Sequence, residues 1–421
     1  MQERNRAAVL DAARAEFVER GFRDAKIDVI AARAGLTRGA VYSNFPGKRA
    51  LYFAVLATDA VNAASAADAA GVTGAVGPAG AVGPAGAVGP AGAAGPAGAA
   101  GPAGSAGAAG SAGALGPSGA AGSSTAAGWA DAAHRAPRPL RTVRTPREAL
   151  AAFAASWLGD LPLATDAGPS RLAAELLPVV LADERTRRPF AQLTGLTALL
   201  VGLALERLLA ERTFRPRMVR VAEAALTLLH GAGQLAAAAP GFVDEMVVVD
   251  ACGELAKADF ADRWAPPHLP YVAPARPVDE PFRLDGGAVE PVEGSGRLSD
   301  ATADGVLVVL GLHRLTALEE AVRAAPRGVP VTAAVVTGEP AELGPLARLV
   351  LADTDRHLGA AFPPGARPTV RIVLDEAGKL AAAARVTAVS DATEAAVRLH
   401  DGRIVARADG PGAPHAAASF A

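Results

Sequence analysis

Lys26–Leu56, KIDVIAARAGLTRGAVYSNFPGKRALYFAVL, decides how the first part of this chain folds. Ala31 and Ala34 are small where two helices would cross closely, and Gly35 suits the left-handed residue that closes a helix. Leu36 is an apolar plug, and Thr37 is a good N-cap for a second helix. That helix, Arg38–Phe45, is short and carries Arg38, Tyr42, Ser43 and Asn44 on its polar side. Pro46 stops it, because proline supplies no amide to the helical ladder. Gly47-Lys48-Arg49 then puts two cations at the start of another helix, in which Leu51, Tyr52 and Val55 recur at helical spacing. Cations at a helix N-terminus oppose the helix dipole, a cost that a nearby polyanion offsets. The segment reads as a helix-turn-helix that ends in a phosphate-seeking basic step.

Upstream, Arg6–Arg20 is amphipathic, with Leu10, Ala13 and Phe17 on one face, and it ends at Gly21, where Phe22 can fold back onto the core. Three helices over residues 4–46 therefore make one small unit, and the Lys48 helix leads out of it. Residues 1–57 hold ten Lys/Arg against six Asp/Glu, a local excess of four positive charges in a chain of net charge −2.

The string IA-x-x-AG-L-T-R-G-x-x-Y-x-x-F-x-x-K-x-x-L, from Ile30 to Leu51, resembles the TetR family of bacterial transcriptional regulators. The resemblance implies that Thr37 and Tyr42 contact DNA phosphates and that the residues around Arg38–Asn44 enter the major groove. It implies that Lys48 anchors the backbone. The DNA-binding set it assigns is Thr37, Arg38, Gly39, Ala40, Tyr42, Ser43, Asn44, Phe45 and Lys48. It further implies a homodimer on a palindromic operator, with a small-molecule effector in a helical domain. One position departs from the family pattern: Lys26 stands where Ser or Thr usually caps the helix before the turn, and Asp24 is a candidate replacement cap. The competing reading is a small helical core with a solvated basic face.

From Gly71 to Gly122 glycine occupies every third position, in Gly-Pro-Ala and Gly-Ala-Val triplets. Such periodicity fits a collagen triple helix, whose crowded axis admits only glycine, and it equally fits a low-complexity linker. Residues 71–125 are expected to be a linker, because a two-fold assembly supplies no third strand. A trimer assembled by the tract is the alternative.

Residues 145–263 return to helix. Thr145-Pro146 is a cap followed by proline, Phe153 and Trp157 sit four apart, and further helices are expected over 170–181, 189–211, 216–238 and 242–260. The last two resemble the helices through which TetR-type regulators dimerise, and they carry more apolar surface than one small bundle buries. Residues 264–303, rich in proline, glycine and charge, read as a second linker.

After that linker the pattern changes to strands at 305–312, 329–336, 369–374 and 400–407, with helices at 316–325 and 342–358. This is an α/β domain spanning 304–421. Its ending, VLDEAGKLAAAARVTAVSDATEAAVRLHDGRIVAR, resembles the closing half of thioredoxin-like proteins, in which a strand, a short helix, a hairpin and a DGRIV strand follow in order. The fold class expected is multidomain: an all-α helix-turn-helix, an all-α regulatory domain, and a C-terminal thioredoxin-like α/β domain.

The chain has one cysteine, Cys252, which excludes an intrachain disulfide and any cysteine-based zinc cluster. Thiol redox chemistry of the thioredoxin type needs a low-pKa cysteine near His313-Arg314-Leu315, and none is there. Asp391-Ala392-Thr393 also stands where the resemblance places a cis-proline. A redox-related module tethered to DNA is thus the weaker alternative. Asp353 and His357 share a helix face, but two ligands do not make a metal site. No catalytic, cofactor or metal residue is assigned. The N-terminus is charged and amphipathic rather than signal-like, and Leu193–Leu209 is short for a membrane span. A cytoplasmic, nucleoid-associated protein is expected.

Overall fold

The computed structural model describes residues 2–72, 143, 145–160, 169–209, 216–267, 269–284 and 304–420. The Gly-x-y tract lies outside the described residues. The N-terminal helices are α1 (Gln2–Asp24), α2 (Ile27–Arg33), α3 (Arg38–Asn44) and α4 (Lys48–Val72). Gly21 interrupts α1 with φ 75° and ψ 171°, a conformation open to glycine, and this turns Phe22 inward. The Phe22 ring then lies 5.0 Å from Tyr52 and 6.2 Å from Phe17, closing an aromatic core between α1 and α4.

The next helices are α5 (Pro146–Leu158), α6 (Pro169–Ala174), α7 (Leu176–Leu181), α8 (Glu184–Leu208), α9 (Val219–Ala238) and α10 (Glu245–Leu255). Thr145 and Glu148 form a reciprocal capping box at the start of α5. Helix α8 begins five residues before the expected Pro189, because Asp183 caps it by accepting from Arg185 N at 2.9 Å. It passes the length and composition test for a membrane span, but 67% of that window is buried among its neighbours, as in a core helix.

The C-terminal part comprises β1 (Arg276–Pro281), β2 (Gly305–Gly311), α11 (Leu318–Ala324), β3 (Val331–Val336), α12 (Pro340–Ala361), β4 (Arg371–Leu374), α13 (Lys379–Ala383), β5 (Glu394–His400), β6 (Arg403–Asp409) and α14 (Ala413–Ala418). Among the described residues the strands form one sheet in the order β1-β6-β5-β2-β3-β4. Strands β2, β3 and β4 run parallel; β5 is antiparallel to β2, and β6 to β5. Alternate residues of β2 serve opposite faces: Val306, Val308 and Leu310 join the main core, while Leu307 and Val309 pack towards α13 and Phe282.

Two expectations need correction. Residues 276–281 lie within the presumed second linker yet form edge strand β1 against β6, with Arg276 opposite Arg407. RPVDEP shows no alternation, and its two prolines are tolerated because an edge strand leaves one row of amides unpaired. The strand expected over 400–407 begins later: residues 403–407 do lie in β6, but His400 ends β5, and Asp401 and Gly402, at φ 48° and 69°, make a two-residue turn between them.

The described residues within 2–68 and 143–420 cluster as one compact unit. Its apolar core is continuous from Val9 and Phe17 in α1, through Leu193 and Leu205 in α8, to Leu346 in α12. Helix α12 lies against both α5 and α8, so the sheet domain is packed onto the helical one.

Candidate nucleic-acid interface and an internal cavity

The turn between α2 and α3 has the geometry its residues demand. Gly35 sits at φ 66°, and Leu36 N donates to Ala31 O at 2.9 Å to close the end of α2. Thr37 Oγ1 accepts from Ala40 N at 3.2 Å and so caps α3. The start of α2 is served by Glu16 of α1, whose Oε1 accepts from Lys26 N at 3.3 Å, rather than by Asp24. Buried Glu16 also meets Arg20 and Arg33, each at 3.4 Å, fixing α2 against α1.

Helix α3 is anchored by Val41, with Phe45 at its C-cap, both nearly inaccessible, and it turns Arg38, Gly39, Tyr42 and Ser43 outward. Arg38 is 61% exposed, pairs with Asp28 at 3.3 Å and stands 5.6 Å over the Tyr42 ring. Those partners, Tyr42 first and Asp28 next, raise its guanidinium above the usual range. Ser43 Oγ and Asn44 Nδ2 both donate to Ala40 O, at 2.9 and 2.8 Å. Asn44 is therefore partly occupied within the helix, and Phe45 is a core residue beneath Arg6, whose guanidinium lies 4.5 Å from its ring. Thr37, Arg38, Gly39, Tyr42 and Ser43 form the exposed part of the expected set.

Lys48 has a second duty. Its Nζ donates to Arg23 O and Ala25 O, both at 3.0 Å, and lies 4.9 Å from the Phe22 ring, so it fastens the end of α1. Burial lowers its pKa despite Asp24 and Glu175 nearby. Its neighbour Arg49 reaches the other way. Arg49 pairs with Asp183, the cap of α8, and with Glu342 in the first turn of α12, where Nε donates to Glu342 Oε1 at 3.0 Å. One guanidinium at the start of α4 thus touches both the helical and the sheet domains. Two further ties hold the reader to the helical domain: Tyr52 OH donates to Leu172 O, and Phe22 N donates to Glu175.

A cavity of about 320 Å³ lies behind α4, walled by α4, α5, α7, α8, α9 and α12. Leu56, Leu176, Leu226 and Leu349 line its apolar side, and Trp157, Phe190, His230 and His357 bring rings to it. Trp157 is 5.0 Å from His230 and 5.2 Å from His357. Arg356 bridges Asp160 at 2.5 Å and Asp353 at 3.0 Å. Burial, with Arg356 adding to it, drives His357 down to about 3, and Ser156 Oγ lies 2.9 Å from its Nδ1. The Asp353–His357 face singled out in the sequence therefore joins a cavity wall. Its partners come from three other helices, and no local pattern announces them.

Residues 9–55 match the family described as bacterial regulatory proteins, tetR family, and residues 69–129 match the collagen triple helix repeat. Over 56 residues the chain is 50% identical to the HTH-type transcriptional regulator SrpR of Pseudomonas putida, covering 13% of this chain and 26% of that protein. Over 53 residues it is 51% identical to the uncharacterized HTH-type transcriptional regulator TtgW, also of Pseudomonas putida, covering 13% of this chain and 40% of that one. The chain thus spans about a quarter of the first relative and two fifths of the second. No solved structure matches it.

Proposed function

We propose that this chain, whose residues 9–55 match the tetR family of bacterial regulatory proteins, is a ligand-responsive repressor, a homodimer that reads a palindromic operator. The observation that carries this reading is the capped helix α3, which offers Arg38, Tyr42 and Ser43 to solvent on a segment half identical to two transcriptional regulators. Thr37 and Tyr42 take phosphates, Arg38 reads a base edge, and Lys48 adds charge beside the backbone. Dimerisation is supported by apolar side chains exposed around the α9–α10 corner: Leu235 at 47%, Phe242 at 73%, Met246 at 65% and Val247 at 64%. The effector site is the cavity, whose volume falls at the lower end of the range for small-molecule pockets.

The domain map that goes with this function is a reader at 1–57, a linker tract at 71–125, a sensor at 145–263 and an α/β domain at 304–421 that takes in the edge strand 276–281. The α/β domain is taken as a thioredoxin-like fold kept for packing and ligand sensing. In support, His313 N donates to Asp391 O at 2.8 Å, so the positions where the resemblance would put cysteine and cis-proline are adjacent. A fold that has lost its reactive residues retains its shape as a scaffold.

The test is fluorescence anisotropy of the intergenic DNA beside the protein's own gene, across a salt series. Affinity should fall steeply with salt as counterions are released. Arg38→Ala should cut discrimination between operator and unrelated DNA by roughly tenfold or more, within the ~1–3 kcal/mol range of a base contact. Binding that ignores salt, or an Arg38→Ala protein as selective as the parent, refutes the assignment.

A further inference from the structure

The effector reading leaves the chemical class of the ligand open, and the charged end of the cavity narrows it. Asp160 and Asp353 share the single guanidinium of Arg356. The other charged pair on the wall, Arg14 and Asp59, is self-balancing at 3.0 Å. Both histidines are held neutral by burial. Among the described residues the lining therefore carries two cationic and three anionic groups, a surplus of one carboxylate. Burial raises the carboxyls of Asp160 and Asp353 above their usual range, a cost to their charged forms that a cation seated beside them would offset. Around the same end stand Trp157 and Phe190, aromatic rings of the kind that attract a cation, with His230 and His357 packed beside them. An anion would bring a third negative charge to one guanidinium. A neutral guest would leave the surplus uncompensated.

We infer that this cavity binds a small lipophilic organic monocation, its charged head at the ring-and-carboxylate end and its apolar body against Leu226 and Leu349. The inference rests on the effector reading. It adds that α12 of the sheet domain supplies Asp353, Arg356 and His357, so that the C-terminal domain builds the selective end of the site. At a liquid-like packing of about 0.5–0.6, the volume suits a guest of roughly 160–190 Å³, about one aromatic ring with a trimethylammonium head.

The test is calorimetric titration of the full chain with three benzyl probes: benzyltrimethylammonium, its uncharged carbon isostere neopentylbenzene, and the anion phenylacetate. The cation should bind at least tenfold tighter than the isostere, and phenylacetate weakest of all. Asp353→Asn should erase the difference between cation and isostere while keeping affinity for the isostere. Should that variant fail to fold, Asp160→Asn tests the same surplus charge. Equal binding of cation and isostere, or a preference that survives both substitutions, overturns the inference. If the isostere binds and weakens operator affinity while the cation does neither, the effector reading stands and the charge assignment falls. Binding by none of the three removes the cavity as an effector site, and both fall.

Discussion

Arg49→Met is the substitution that most directly probes how the reader is joined to the rest of the chain. Methionine keeps a long apolar stem and deletes the guanidinium, leaving Asp183 and Glu342 facing its place. The three side chains are 22%, 30% and 18% exposed, between the surface and buried regimes. Exposed pairs contribute about 0–1 kcal/mol, and breaking a buried pair costs about 3–5 kcal/mol. The expected loss is therefore about 2 kcal/mol. At ~2.1 cal/mol/K per residue over the roughly 310 described residues, that lowers Tm by roughly 3 °C. The informative measurement is a double-mutant cycle with Glu342→Gln, read by urea unfolding. Two residues in direct contact should show an interaction energy of about 1 kcal/mol. The same double mutant should also uncouple operator affinity from effector binding, because α12 runs from Glu342 to the cavity wall at Asp353 and His357. If the two single effects add to within about 0.3 kcal/mol, the clamp transmits nothing, and the proposed route from cavity to reader is wrong.

Lys48→Ala should both flatten the salt dependence of DNA binding by about one phosphate and destabilise the free protein by about 1 kcal/mol, since it frees two carbonyls at the end of α1. Lys48→Arg should restore the salt slope more fully than it restores stability measured by urea unfolding. His357 should make the fold acid-sensitive. Its folded pKa of about 3 lies below the ordinary 6.5, so the unfolded chain binds more protons between those values and stability falls with falling pH across that window, by up to ~1.4 kcal/mol per unit. The raised carboxyls of Asp160 and Asp353 act in the opposite sense, so His357→Gln should give a visibly shallower acid limb in pH-dependent unfolding. Cys252 is inaccessible and its thiol is pushed up to about 11 by burial; it should react with a thiol reagent only as fast as the chain unfolds, and rapid labelling at pH 7 would contradict its placement.

The reader was legible because each of its key positions answers to a local constraint. Gly35 must be left-handed and Thr37 must cap, and both show in a window of a few residues. Thr145-Pro146 was readable for the same reason. Strand β1 was not, because its only support is β6, more than a hundred residues away, and RPVDEP lacks the alternation of a half-buried strand. The Asp401-Gly402 turn did carry a local signal, the Asp-Gly pair of tight hairpins, but it was absorbed into the strand that comes after it. The partner of the Lys26 amide at the start of α2 was hidden in another helix, since Glu16 is ten residues from it. The cavity needed tertiary packing: helical spacing places Asp353 and His357 together, but only the approach of α5, α8 and α9 brings Trp157, Phe190 and His230 to them.

The continuous core has a consequence for anyone who would rewire this protein. Phe17, Tyr52, Leu172, Leu193 and Leu346 are inaccessible together, and they come from every segment of the unit. A chimera that grafts residues 1–57 onto a foreign sensor would have to supply new partners for Tyr52, Arg49 and the Phe22 amide, or bare them to solvent. Recombination at the reader's boundary is therefore constrained on both sides of the cut. Retargeting this protein to a new operator is better sought in the exposed face of α3, where the contacts of Arg38 and Tyr42, with each other and with Asp28, lie at the surface and not in the core.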